Sequence, residues 1–184
     1  MPRPILRAAP WLALTVVLGL GVPWAPAAAD ETVSNEALVE GSTDAVWRLL
    51  TTKEGLESWI VPHANVDLRV GGFLRTNHLA DGKIGDANTV TNRIVALSSK
   101  KKFSIKLVEA PKTIPLANSL VGTWYEITLS AVSKTRTRVR CIGHGFPEGP
   151  MGYAGRTIAG QGNAWALQQL QKFCLARRPS HPSK

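Results

Sequence analysis

Residues 151–175 read MGYAGRTIAGQGNAWALQQLQKFCL, and the fold follows from where this stretch must lie. No proline interrupts the chain between Pro150 and Arg178. Ala159, Ala166, Leu167, Leu170, Phe173 and Cys174 fall on one stripe at helical spacing, whereas Gln161, Gln168, Gln171 and Lys172 fall off it. The spacing predicts a long amphipathic helix laid on a core. Its stripe is uneven, with Gly152, Gly155 and Ala159 in the first half and bulky residues in the second. Bulky side chains fill the space against a sheet and small ones leave it open. The expected helix therefore plugs one end of a sheet and roofs a hollow at the other.

Upstream, the pattern changes from helical to alternating. Val66, Leu68 and Val70 face one way while Asp67 and Arg69 face the other, which predicts a half-buried strand over 65–70. Gly71-Gly72 supplies the freedom for a hairpin or bulge, and 73–79 returns. Further strands are expected at 89–97, around Phe103, Ile105 and Leu107, at 121–132 and at 135–143. In the last of these Val139 and Cys141 face in and Arg136, Arg138 and Arg140 face out. Polar or proline-containing loops are expected at 80–88 and 111–120. Before them lie a first strand over 36–40, ended by Gly41, and a helix over 45–50 capped by Ser42-Thr43. A second helix over 53–59 is stopped by Pro62. The order predicts an α+β fold: a curved antiparallel sheet of six to seven strands, two short helices in a V, and the long helix on the concave face.

The amino terminus carries Arg3 and Arg7, an apolar run over 11–21 and Ala27-Ala28-Ala29. These are the three parts of a secretory signal peptide, expected over 1–29 and directing the chain to a periplasmic or secreted location. A retained membrane anchor is the alternative. The run is short for a span, which takes about 20 apolar residues. One domain is expected over 30–176, with a disordered tail over 177–184. Two cysteines entering an oxidising compartment invite a disulfide. Cys141 and Cys174 stand near opposite ends of a strand–helix unit, however, farther apart than the roughly 7 Å a bridge allows between Cα atoms. Two buried free thiols are expected instead.

The formal charge of +9 suits an anionic partner. Lys102, Lys106, Arg136, Arg138 and Arg140 form an outward basic row, with Trp124 on the strand between. Its ordinary reading is a solvated sheet face that blocks edge pairing. Its functional reading is weak docking on an anionic surface, and nucleic acid is not expected. The chain has no G-x-S-x-G, H-E-x-x-H, C-x-x-C or phosphate-loop motif. His63, His78, His144 and His181 lack metal-ligand spacing. No metal, cofactor or catalytic set is expected.

The runs Ala45-Val46-Trp47-Arg48-Leu49-Leu50-Thr51, Gly55-Leu56-Glu57-Ser58-Trp59 and Val66-Asp67-Leu68-Arg69-Val70-Gly71-Gly72 resemble the opening of a known domain. It is that of homologues of the heat-shock-protein-90 ATPase activator, a branch of the SRPBCC superfamily that includes START and birch-pollen-allergen proteins. Thr137-Arg138-Val139, Gly145-Phe146 and Gly162-Asn163-Ala164-Trp165-Ala166-Leu167 are similar to that branch's last strand and helix. A Gly-Trp pair common there reads Gly162-Asn163 here, with the tryptophan at position 165. The resemblance implies a helix-grip fold that binds apolar or amphipathic small molecules. It also admits cyclase-type enzymes and one co-chaperone group. An exported chain does not meet a cytosolic chaperone, so no chaperone partner is expected.

Together these readings place a ligand between the sheet and the last helix. The expected ligand-binding residues are Thr123, Tyr125 and Cys141 on strands, with Gly155, Arg156, Ala159, Asn163 and Leu167 on the helix. Arg156 either reaches solvent at the mouth or binds an anionic head group. Asn163 binds ligand or caps a strand carbonyl. The ligand is expected to be small and hydrophobic or amphipathic, and the chain to be its carrier or sensor. The alternatives are a cyclase- or lyase-type enzyme using Tyr125, His78 or Arg156 as general acid, and a surface module using the basic face.

Overall fold

Alternating burial along Val33–Glu40 makes β1, which Gly41 ends. Ser42 then caps α1, Thr43–Thr51, its side chain accepting from the Ala45 N–H at 3.3 Å. Thr52 closes one helix and opens the next: its hydroxyl donates to the Arg48 carbonyl at 2.9 Å and accepts from the Gly55 N–H at 3.0 Å. The second helix, α2, is Lys53–Glu57. The two pack so closely that a Cβ on Gly55 would stand 2.1 Å from the Arg48 carbonyl oxygen. The Trp59 indole N–H donates to the Leu49 carbonyl at 3.0 Å and fixes the V.

The computed structural model describes residues 32–111, 113–114 and 116–177. The expected signal segment and all but the first residue of the expected tail lie outside the described residues. After the V come β2 His63–Val66, β3 Phe73–Asn77, β4 Thr89–Ser98 and β5 Lys102–Glu109. A short helix α3, Ala117–Leu120, precedes β6 Trp124–Ser133 and β7 Arg136–His144, and α4 spans Gly149–Ala176. The strands form one antiparallel, curled half-barrel in the order β1-β7-β6-β5-β4-β3-β2. Each edge takes a side chain from a helix. Gln171 of α4 donates to the Leu38 carbonyl at 2.9 Å, and Glu57 of α2 accepts from the Ala64 N–H at 2.9 Å. Those bonds occupy edge groups that would otherwise invite another strand.

The core lies where the second half of α4 meets β1, β6 and β7. Leu170 is fully buried there with Val39, Val46 and Val139, and Trp47 meets Phe103 edge-on at 5.6 Å. Burying one such aliphatic side chain is worth about 1.5–3 kcal/mol. Cys141 and Cys174 are buried and unbridged, as the strand–helix geometry requires.

Several boundaries differ from the pattern reading. The strand expected over 65–70 stops at Val66, because 67–72 fold into a turn in which Asp67 N–H donates to Phe73 O and Gly72 N–H to Arg69 O. Gly71 adopts φ +85° in this turn, and Val70 is 59 % exposed. Three alternating apolar residues read as a strand, but the turn starts before the alternation ends. β1 begins at Val33 because β7 extends far enough to pair it with Gly143. The expected loop over 111–120 contains α3. Finally, α4 starts at Gly149 with Pro150 in its first turn, where a missing N–H costs nothing.

Candidate functional site

Between the V, the concave sheet and the middle of α4 lies a cavity of about 340 Å³. Leu50, Leu56 and Trp59 wall it on the helical side, and Leu74, Ile105 and Leu107 on the sheet side. Ala166, Leu167 and Leu170 roof it from α4. Thr76, His78, Asn92, Tyr125, Cys141 and Asn163 are its polar lining. A small, mostly apolar hollow with a few convergent polar groups is the usual form of a small-molecule site.

Of the eight expected residues, Tyr125, Cys141, Asn163 and Leu167 meet at this cavity. Thr123, Gly155, Arg156 and Ala159 do not line it. Thr123 is fully buried, and its hydroxyl donates to the Leu120 carbonyl at 2.6 Å. Gly155 faces α3 and the β7–α4 loop: a Cβ there would lie 3.4 Å from Leu120 and 3.6 Å from Phe146. Arg156 packs back along its own helix, with a guanidinium nitrogen 3.3 Å from where a Cβ on Gly152 would sit. The hollow therefore sits under residues 163–170 and not under the glycine-rich first half of α4. At Gly155 the absent side chain admits Leu120 and Phe146, so the expected hollow there is occupied by packing.

The sequence reading missed Trp59, Thr76, Asn92 and the other lining residues of α2, β3 and β4. Strand alternation does put Leu74, Thr76 and His78 on one face, but only the curl of the sheet turns that face toward α4. His78 stands at the mouth, and what burial it has lowers its imidazole pKa, favouring the neutral form. Burial raises the Tyr125 phenol, an effect the Thr123 hydroxyl partly offsets. Burial also pushes the Cys141 thiol up to about 12. Near neutral pH all three are therefore uncharged. The Asn163 side-chain nitrogen and the Asn35 side-chain oxygen are buried, and neither has a hydrogen-bond partner among the described residues.

The loop 78–88, of which His78 lines the cavity, is held by a network of side-chain bonds. Asn77, fully buried, donates to Lys83 O at 3.0 Å and to Asp86 Oδ1 at 2.8 Å, and accepts from the Leu79 N–H at 3.0 Å. Asp86 in turn accepts from the Lys83 and Asn88 N–H groups, which hold its carboxyl below the usual range. A second, larger depression of about 1140 Å³ lies at the opposite end, where Glu40, Arg48, Lys134 and Arg177 border it. It is a broad groove with charges of both signs, and the apolar cavity is the better candidate for a small molecule.

On the convex face, register places Phe73, Arg93, Lys106, Trp124 and His144 in one row across five strands. Arg75 and Arg93 both lie over the Phe73 ring, and Trp124 stacks on His144 at 4.0 Å. Part of the expected basic row is neutralised, since Lys102 pairs with Glu126 at 3.0 Å and Arg138 with Glu36 at 2.9 Å. Trp165, on the polar side of α4, is half exposed. Among the described residues, no cluster of three or more His, Cys, Asp or Glu is placed to hold a metal ion, and no helix is long and apolar enough to cross a membrane.

Residues 41–174 match the family described as Activator of Hsp90 ATPase homolog 1-like protein. Among solved structures, a protein of Mesorhizobium loti is 20 % identical with a TM-score of 0.62, the match covering 80 % of this chain and 98 % of that one. The Aha1 dimer of Colwellia psychrerythraea is 17 % identical with a TM-score of 0.58, over 78 % of this chain and 96 % of that one. An AHSA1-like protein from Aeromonas hydrophila is 15 % identical with a TM-score of 0.57, over 84 % and 99 %. At these identities the likeness is one of fold. No curated protein is significantly similar in sequence.

Proposed function

This chain belongs to the family of Activator of Hsp90 ATPase homolog 1-like proteins, and from that premise we propose that it is an exported carrier or sensor of a small hydrophobic or amphipathic molecule. The ligand is held between the sheet and α4. The apolar cavity of about 340 Å³ carries this reading. Its size and lining suit a compact organic molecule, and the V and α4 remove such a molecule from water. Export rests on the amino-terminal Arg3/Arg7, apolar run and Ala27-Ala28-Ala29 site. On that placement no cytosolic chaperone is a partner. Native mass spectrometry of the protein purified from its own host is the test. A co-purifying small molecule that is lost when the cavity is filled is the expected result. Protein that arrives empty and takes up no apolar probe would remove the reading.

Two further readings have an observation each. Tyr125 and His78 line the same cavity, which is the arrangement a cyclase- or lyase-type enzyme needs in a general acid. Turnover that vanishes in Tyr125→Phe would favour it. Arg93 and Lys106, adjacent in the convex-face row, favour weak docking on anionic surfaces, where each cation is worth about 1 kcal/mol. Vesicle binding that falls steeply with salt would support that reading, and salt-independent binding would not.

A further inference from the structure

The sheet wall of the cavity carries two buried polar side chains that nothing in the described chain satisfies. Asn92 of β4 and Thr76 of β3 both line the cavity and are only 8 % and 9 % exposed. Neither side chain has a hydrogen-bond partner among the described residues. Neither is sealed off, as the unmatched atoms of Asn35 and Asn163 are, and the surface that they keep opens into the cavity. The remaining polar groups of the wall are placed differently. His78 is exposed at the mouth, the Tyr125 phenol has the Thr123 hydroxyl beside it, and the Cys141 thiol is a weak donor.

The register of the sheet isolates Asn92 among apolar neighbours. It stands opposite Leu74 on β3 and, past a shift in the ladder between Thr91 and Asn92, opposite Leu107 on β5. Both leucines line the cavity too. Such irregularities commonly re-aim a side chain next to a site. Thr76 pairs with Val90, which makes it the diagonal neighbour of Asn92 on the same face. Diagonal neighbours lie about 7–8 Å apart at the backbone, near enough for one small group to meet both side chains. An amide and a hydroxyl buried without partners lower stability, and a ligand group placed between them offsets that loss.

Resting on the binding role above, we infer that Asn92 and Thr76 are the polar anchor of the cavity, and that its ligand ends in a carboxamide, lactam or similar group with donor and acceptor side by side. The Asn92 carbonyl accepts from the ligand N–H, and the Thr76 hydroxyl donates to the ligand carbonyl. A ketone supplies an acceptor alone. A hydroxyl supplies donor and acceptor from a single atom, which does not span the two side chains. The rest of the ligand is left to the apolar walls.

The test is titration calorimetry of the purified chain with a straight-chain primary amide of about eight carbons, sized to the cavity, and the methyl ketone of the same chain. The two probes differ only in an amino group against a methyl. The amide is expected to bind about tenfold more tightly, because the ketone leaves the Asn92 carbonyl unmatched. Asn92→Leu should erase that advantage, while Thr76→Val should weaken amide and ketone alike, since both keep the carbonyl. Asn92→Leu should also melt no lower than the parent, because the amide it removes makes no bond within the protein. Equal affinities of the parent protein for amide and ketone would overturn the anchor and leave the carrier role intact, with water filling the two groups. A lower melting temperature in Asn92→Leu would make Asn92 a structural residue and overturn it as well. Affinities untouched by Thr76→Val would remove the part given to Thr76. If neither probe binds, this inference and the carrier role fall together.

Discussion

Ala166→Leu separates a hollow that holds ligand from a seam that merely packs poorly. Ala166 lines the cavity from α4. The three added carbons, each comparable with the roughly 30 Å³ a water occupies in liquid, take up roughly 90 Å³. That is about a quarter of the about 340 Å³ present. Three methyl or methylene groups buried at about 0.8 kcal/mol each add up to roughly 2 kcal/mol of stability. Forcing the same groups into a full core would instead cost about 1–3 kcal/mol. The expected outcome is a pair of opposite changes. The melting temperature rises by several degrees, at about 2–4 °C per kcal/mol for a domain of this size. The affinity for an apolar probe falls at least about tenfold, equivalent to 1.4 kcal/mol. Differential scanning calorimetry and titration calorimetry on the same preparation read both. A fall in melting temperature would show that the space is already filled. A rise with unchanged binding would show that ligand goes elsewhere.

Three other outcomes follow from the geometry. Asn77→Ala removes three hydrogen bonds from a fully buried site and should cost on the order of 3 kcal/mol, with amide exchange quickening in 78–88 at the cavity mouth. A melt unchanged by this substitution would mean the loop is held by other contacts. Acidification should lower stability. Asp86 is held below its ordinary value chiefly by backbone N–H groups, Glu57 chiefly by its bond to Lys53, and His78 by burial. Between the folded and ordinary values the unfolded chain binds more protons, so each contribution is present above the ordinary pKa and lost as pH falls through the folded one. Thermal melts from pH 7 to pH 3 should therefore fall, first through His78 and then through the carboxylates, and a melting temperature that rises on acidification would contradict the assignment. Finally, a thiol reagent should label Cys141 at neutral pH only after denaturant is added, because the thiol is buried and its pKa is pushed up to about 12. Rapid labelling of Cys141 in the native protein would show that the wall is open.

The sequence alone determined the order of the strands and of α1, α2 and α4, and the sidedness of most of them. The alternation of Val139 and Cys141 with Arg136, Arg138 and Arg140 fixes which face of β7 is buried, and the helical spacing of Ala166, Leu167, Leu170 and Cys174 does the same for α4. Those periodicities arise from local backbone geometry, so they survive without knowledge of the partners. The early tryptophan- and glycine-containing runs added the family's helix-grip arrangement to that pattern. Only the tertiary structure decided where the empty space lies. A small residue at a buried position is compatible either with a void or with the close approach of another element. At Gly155 the second holds, because Leu120 of α3 and Phe146 of the β7–α4 loop arrive there. The void instead forms under Asn163 and Leu167, between them and the wall that Leu50, Leu56 and Trp59 make on the helical side. Periodicity reports that a face is covered, and only the three-dimensional path of the chain reports by what.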